Sequence, residues 1–408
     1  MNERQDKVQI SKRAEDFPES PIRKLNPLAD RAKDQGVHVY HVNIGQPDIP
    51  TPDEFMEGVY GAEIDVLSYS PSQGERKTRE ALASYYRDHD IEVTPEQLMV
   101  TTGGSEAGLF AFYVTLEAGE EVLIPEPFYT NYRGFARMTG VDIQPIPTRK
   151  SDNFRLPGSE TIEKLITEDT GALLLTNPSN PTGRVYSEEE LSLAGDLARR
   201  HDLFLITDEV YREFVYGTGK ARSSLEMEDM VERTVMIDSI SKRLSGCGAR
   251  IGTLVSKNDK VMESALKLGQ SRLSPPTMGQ LGLTNYLNSP AYPSAIREMI
   301  DRYEKRRDVL VEGLSKIDGI DYGEPEGAFY IMVGLPVENA ERFVRWMLTD
   351  FRDDGETVMM APGEGFYQTP RKGEDQVRLS YVLNREELAR VGELLKKGLT
   401  RYGDMEKT

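Results

Sequence analysis

From about residue 98 to residue 255 the chain alternates short apolar runs with longer stretches whose apolar residues recur at helical spacing. Runs at 98–102, 121–124, 143–146, 172–176, 203–207, 234–237 and 252–255 read as strands, and 187–200 reads as a helix between two of them. Strands separated by helices predict an α/β fold with a mostly parallel central sheet. A further helix starts at 279 and ends near Ser289-Pro290. The pattern then changes. Helices at 296–314, 337–351 and 385–401 interleave with β-like runs at 328–333, 358–361 and 377–382, as in a smaller α+β domain. The expected division is an N-terminal segment, 1–50, with one short helix and packed on the small domain; a large domain, 51–300; and a small C-terminal domain, 301–408.

Composition narrows the function. The 408 residues are 38% hydrophobic and 29% charged, which fits a soluble globular protein. No apolar run is long enough to cross a membrane, and the polar first 20 residues lack the apolar stretch of a secretory signal. A net charge of -18 argues against non-specific nucleic-acid binding. The single cysteine, Cys247, excludes an intramolecular disulfide and fits the cytoplasm. His38, His41, His89 and His201 have no metal-ligand spacing, so no metal site is expected.

Five segments carry candidate chemistry. In Asp238-Ser239-Ile240-Ser241-Lys242-Arg243, a lysine follows a strand among small polar residues, and Arg250 follows eight positions later. A lysine that condenses with an aldehyde needs such a partly desolvated place at a strand end, and a nearby arginine can fork onto a phosphate. Thr102-Gly103-Gly104-Ser105 opens a helix after a strand, where backbone N–H groups receive anions, although a glycine pair there is often an ordinary turn. Asn177-Pro178-Ser179-Asn180-Pro181-Thr182-Gly183 is a turn that either aims Asn180 above the sheet edge or aims nothing; a cis bond at Asn180-Pro181 is expected. Asp208 ends a strand where α/β proteins bind ligands, with Tyr211 three residues on; a helix cap is the other reading. Arg378 interrupts an apolar strand and needs an anion. Spacing alone favours a structural carboxylate over a substrate.

Together and in this order, these segments resemble the class I aminotransferases of the fold type I pyridoxal-phosphate enzymes, and within them the prokaryotic aspartate aminotransferases. The similarity runs from Asn43-Ile44-Gly45-Gln46-Pro47-Asp48 to Arg378. It implies the fold type I PLP-transferase architecture and pyridoxal 5'-phosphate as cofactor. It makes Lys242 the Schiff-base lysine and proton carrier, and Asp208 the partner of the pyridine nitrogen. Tyr211 and Asn180 bind the ring oxygen. Gly104, Ser105, Ser239 and Arg250 form the phosphate cup, and Tyr129 stacks on the ring. Arg378, with Asn180 and the backbone at Gly45, takes the substrate carboxylate. The resemblance also implies a homodimer in which Tyr69 reaches the partner's phosphate.

Aspartate with 2-oxoglutarate is the favoured substrate pair. Aromatic amino acids, alanine or other neutral amino acids, and carbon–sulfur lyase chemistry, are alternatives. A non-catalytic regulator is opposed by the acidic charge and by the short stretch before Pro21, too short for a DNA-binding domain. Arg272 is a candidate for a distal carboxylate, with a structural role as its competitor, and Ser105 stands where some prokaryotic relatives carry a lysine.

Overall fold

The computed structural model describes residues 10–406; residues 1–9 of the expected N-terminal segment, and residues 407–408, lie outside the described residues. Its centre is a seven-stranded sheet in the order Leu98–Thr102, Ile251–Val255, Thr234–Ser239, Phe204–Asp208, Thr170–Thr176, Glu121–Glu126, Asp142–Pro147. Every pairing is parallel except the two made by Ile251–Val255, which runs against both neighbours. All seven strands expected from the sequence are present.

The apolar character of these strands follows from burial on both faces. In Thr170–Thr176 the side chains alternate. Ala172 and Leu174 join a core with Ala107 and Phe110 of the helix Gly104–Thr115. Leu173 and Leu175 face Leu191 and Leu197 of the helix Glu188–Arg200. That helix begins at a capping box, in which Ser187 and Glu190 satisfy each other's backbone N–H groups.

The C-terminal part holds a four-stranded sheet in the order Ala361–Pro362, Gln376–Ser380, Tyr330–Gly334, Asp321–Tyr322, antiparallel throughout. The run 358–361, expected as one strand, is instead divided between two sheets. Glu356–Met359 pairs in parallel with His38–His41, and Ala361–Pro362 pairs with Gln376–Ser380. Among the described residues, the stretch to residue 50 contains two helices, Lys12–Glu15 and Asn26–Asp34, where one was expected. Leu25, Ala29 and Ala32 share a core with Phe343, Val344 and Val358, and Lys24 pairs with Glu341. No helix among the described residues is long and apolar enough to cross a membrane.

One contact ties the loop after Ala361–Pro362 to the large sheet. Glu126, buried at its strand's end, accepts the N–H groups of Gln368 (2.9 Å) and Thr369 (3.0 Å) and pairs with Lys372 at 3.0 Å. Arg133 donates to Gly365 O at 3.0 Å beside it.

A buried ionic cluster stands behind two strand ends. Asp238 receives Arg243 Nη1 at 2.7 and 3.0 Å, Tyr86 Oη at 2.8 Å and Arg212 Nη1 at 3.5 Å. Arg212 also pairs with Glu209 at 2.8 Å. Burial alone would raise the Asp238 carboxyl, but Arg243 and Arg212 outweigh it and hold it well below the usual range. Removing one partner of such a cluster strands a buried charge. Arg243→Ala is therefore expected to cost about 3–5 kcal/mol in urea unfolding. Adding Asp238→Asn, which needs no counter-charge, should recover part of that loss.

Candidate active site

Three parallel strands of the large sheet end at one edge and deliver Asn177, Asp208 and Ser239 to it. A cleft of about 400 Å³ opens there. Of the residues expected at the site, Gly45, Gly104, Ser105, Tyr129, Asn180, Asp208, Tyr211, Ser239, Lys242 and Arg250 line it.

Lys242 lies in the single turn Ile240–Arg243, which Ser239 caps by accepting the Ser241 N–H. The half-buried side chain ends with Nζ donating to Gly45 O at 2.7 Å. Gly45 has to be glycine, because a Cβ there would sit 1.8 Å from the Tyr330 hydroxyl. That hydroxyl bonds the Tyr211 hydroxyl at 2.9 Å, so the main chain at residue 45 packs directly over the two tyrosines.

At one end of the cleft, three segments converge where only small residues fit. Gly103 has φ 75° and no Cβ; one would lie 2.3 Å from Arg250 Nη2. A Cβ on Gly252 would lie 2.3 Å from the Gly103 carbonyl carbon. The helix Gly104–Thr115 has no side-chain cap, which leaves its first N–H groups and positive dipole end facing the cleft. Arg250 is steadied there by donating to Cys247 O at 3.0 Å, and Ser239 Oγ donates to Ile251 O at 2.9 Å. Open N–H groups, a guanidinium and a hydroxyl form a receptor for a phosphate-sized anion.

Asp208 forms the floor. Burial raises its carboxyl to about 6, while the Tyr132 hydroxyl (2.8 Å) and the Val210 N–H (3.2 Å) pull it down. Asp238 and Glu209 push in the same direction as burial. No cation among the described residues pairs with it. Tyr129 is half-buried above, edge-on to Tyr132 at 5.5 Å, and burial pushes its hydroxyl up to about 12.

Arg378 is 1% exposed and lies just behind the lining. The carboxylate partner favoured by spacing is absent among the described residues. Nη1 donates to Asn180 Oδ1 at 3.0 Å and Nη2 to Asn43 O at 2.6 Å, and Nε has no partner. The rings of Tyr330 and Phe366 lie 4.3 and 4.9 Å from the guanidinium. Burial lowers its affinity for the proton. The bond before Pro181 is cis, as are those before Pro127 and Pro178. The turn is braced by Ser179 N–H donating to Arg184 O at 2.8 Å.

Two candidates fall elsewhere. Tyr69 is 78% exposed and away from the cleft of its own chain. Arg272 is no part of the lining: it faces Glu106 at 3.2 Å and donates to Ser72 O (3.3 Å) and Val100 O (3.2 Å), which gives it a structural role within its own chain. Its guanidinium neutralises the glutamate that accepts the Thr102 N–H at 2.8 Å. Among the lining residues that the sequence reading did not assign to the site are Tyr132, Tyr330 and Arg23. Gly327-Ala328-Phe329-Tyr330 was legible only as a strand start.

The family model "Aminotransferase class I and II" matches residues 38–395. A relative in Aquifex aeolicus, named "Probable aspartate/prephenate aminotransferase", is 32% identical over 96% of this chain and 98% of its own. "Aromatic-amino-acid aminotransferase 2" of Thermococcus litoralis is also 32% identical, over 96% and 98%. The solved structure of a Thermus thermophilus aspartate aminotransferase single mutant matches with a TM-score of 0.87 at 29% identity, over 96% of this chain and 100% of that one. The chain belongs to the class I and II aminotransferases, enzymes that depend on pyridoxal phosphate.

The residues present fit that group. An uncapped helix start beside Arg250 suits its phosphate, a buried carboxylate without a cation suits its ring nitrogen, and the Lys242 amine lines the same cleft. Asp208 also makes a prediction for the cofactor-free protein. Its folded value of about 6 exceeds the ordinary 3.8. Between these values the native state keeps a proton that the unfolded state has released, so stability falls as pH rises through this window. The loss is about 3 kcal/mol once both states are ionised. Asp208→Asn should abolish this loss and melt higher than the parent at neutral pH, yet hold the cofactor more weakly. Thermal unfolding of stripped protein across the window, with a cofactor titration, checks both.

Proposed function

We propose that this aminotransferase moves the amino group of aspartate to 2-oxoglutarate in two half-reactions at one site, as a cytoplasmic homodimer. The observation that carries the reading is the fixed offset between an amine and an anion receptor. Gly45 O holds Lys242 Nζ, while Asn43 O, two residues earlier, holds Arg378 Nη2. An α-amino acid needs both, an anion receptor for its carboxylate and a base for its α-hydrogen.

Bound pyridoxal 5'-phosphate supplies an aldehyde and a pyridinium ring that withdraws electrons from the substrate α-carbon. The chain does the rest. Arg378 takes the α-carboxylate, with Asn180 orienting the guanidinium by accepting from Nη1. Lys242, once free, moves the proton to and from the α-carbon. Asp208 as the anion keeps the ring nitrogen protonated, and Tyr132 holds that carboxylate in place. Arg250, Ser239 and the helix start at Gly104 and Ser105, which line the cleft, would hold the phosphate; Tyr129 would cover the ring, and Tyr211 and Asn180 would bind its oxygen.

The expected division into parts belongs to this proposal. Residues 51–300 supply most of the lining and 301–408 supply Tyr330, while the segment to residue 50, which packs on the small part, adds Arg23 and Ile44-Gly45-Gln46. The homodimer is supported by an apolar stretch left in solvent: Val66 is 76% exposed, Leu67 62% and Tyr69 78%. Side chains of this kind are covered in an assembly, and Tyr69 is there to cross into the partner's phosphate site.

The test is the visible spectrum of the purified protein during addition of single amino acids. Aspartate or glutamate should bleach the yellow band, and a 2-oxo acid should restore it. Bleaching by neutral or aromatic amino acids alone would keep the reaction and replace the substrate. Release of a thiol from a sulfur amino acid such as cystathionine, with the band retained and no 2-oxo acid required, would point to lyase chemistry. Lys242→Ala should lower turnover by about 10²–10⁴-fold, and sedimentation should give a dimer.

A further inference from the structure

Arg23 lines the cleft at its mouth, with its side chain exposed. The turn that carries it is fixed from three sides. Asn43 Nδ2 donates to Ile22 O at 2.9 Å. Pro21 packs against Gly365, where a Cβ would overlap it at 2.2 Å. Ile22 packs on the cluster of Met332, Phe366 and Tyr367. The main chain is therefore held rigidly while the guanidinium is left free. Its charge reaches Tyr129 across the cleft. No carboxylate among the described residues pairs with it, on a chain with 68 acidic and 50 basic residues.

The cations of the cleft can be matched to anions. Arg250 and the open helix start serve a phosphate, and Arg378 serves an α-carboxylate. Arg23 is left over. Asn43 relates it to Arg378, since the side chain of Asn43 holds the turn at Ile22 and its carbonyl holds Arg378 Nη2. A buried guanidinium held by Asn43, and a free one at the mouth on the turn that Asn43 braces, suit the two ends of a short dicarboxylate. We infer that Arg23 is the specificity residue that binds the distal carboxylate of dicarboxylic amino and oxo acids. The inference rests on the proposed aminotransferase site and gives it a substrate class. Arg272, committed to Glu106 and to backbone carbonyls, is not available for this task in its own chain.

The experiment uses holoenzyme and two unreactive probes, succinate and propionate, with dissociation constants from calorimetry. Arg23→Gln should weaken succinate by about 10- to 100-fold, the range of a charge-assisted hydrogen bond, and leave propionate within about threefold of the parent. kcat/KM for aspartate and glutamate should fall by the same factor as succinate binding, with alanine and phenylalanine little changed. Arg23→Lys should recover part of the loss. Equal weakening of both probes would make Arg23 a merely structural residue and overturn the inference. So would unchanged succinate binding. If the parent turns over aspartate and Arg23→Gln does so equally well, only the role of Arg23 falls. If the parent fails with every dicarboxylic acid, the aspartate reading falls with it.

Discussion

Burying a guanidinium opposite no carboxylate is costly, and Arg378 is placed that way at the back of the cleft. Its partners are neutral: an amide oxygen, a carbonyl and two aromatic faces. Each must be held where it is, and each comes from a different part of the chain. Asn180 belongs to the turn after Thr170–Thr176, which Arg184 secures by pairing with Glu190 at 2.6 Å and Glu326 at 2.8 Å. Asn43 follows the strand His38–His41 of the N-terminal segment. Tyr330 begins the strand that pairs with Gln376–Ser380. One unneutralised charge thus requires the N-terminal segment, the large sheet and the smaller sheet to meet at one point.

Asp208 poses the same problem with the opposite sign. A carboxylate raised by burial and by two acidic neighbours is an unfavourable thing for an empty protein to keep. Both costs are offset only when ligands of the right charge arrive, so the site trades stability without ligand for affinity with it. The glycines follow from the same requirement. Gly45, Gly103 and Gly252 let main chain approach Tyr330, Arg250 and the helix start closely enough that charges and N–H groups face the cleft instead of being screened by side chains. Behind them, the cluster of Glu209, Arg212, Asp238 and Arg243 pairs its charges internally, which fixes the turn bearing Lys242 without drawing on ligands.

What the sequence disclosed follows the geometry of strand ends. Asp208, Ser239, Lys242 and Asn180 each stand within a few residues of the end of a continuous apolar run, so the sheet edge and its polar residues were legible together. The run 358–361 misled because a strand that changes partners at one residue looks continuous in one dimension. Arg272 stood between two readings, because a cation near the expected interface says nothing about Glu106, which reaches it from another helix and fits the structural reading within its own chain. The role of Asp238 was hidden for a related reason. Its partners Arg212 and Arg243 come from a different strand end and from beyond a strand–helix corner, and no period in the sequence joins them. Arg23 was hidden most thoroughly, since its meaning depends on the N-terminal turn returning over the cleft through contacts with residues near 365.

Chemistry and specificity therefore sit on different elements. The amine, the floor carboxylate and the phosphate receptor belong to the edge of the large sheet, where buried strands on both sides resist displacement. The free cation belongs to a surface turn that contributes nothing to that sheet. A substitution at residue 23 can change which end groups are welcome without moving Lys242 or Asp208. The converse does not hold. A change at Gly45 or Asn43 would shift the carbonyls that hold Lys242 and Arg378, and so would disturb the reaction for every substrate. Relatives named for aspartate and for aromatic amino acids, both near one-third identity, are what such a division of labour permits.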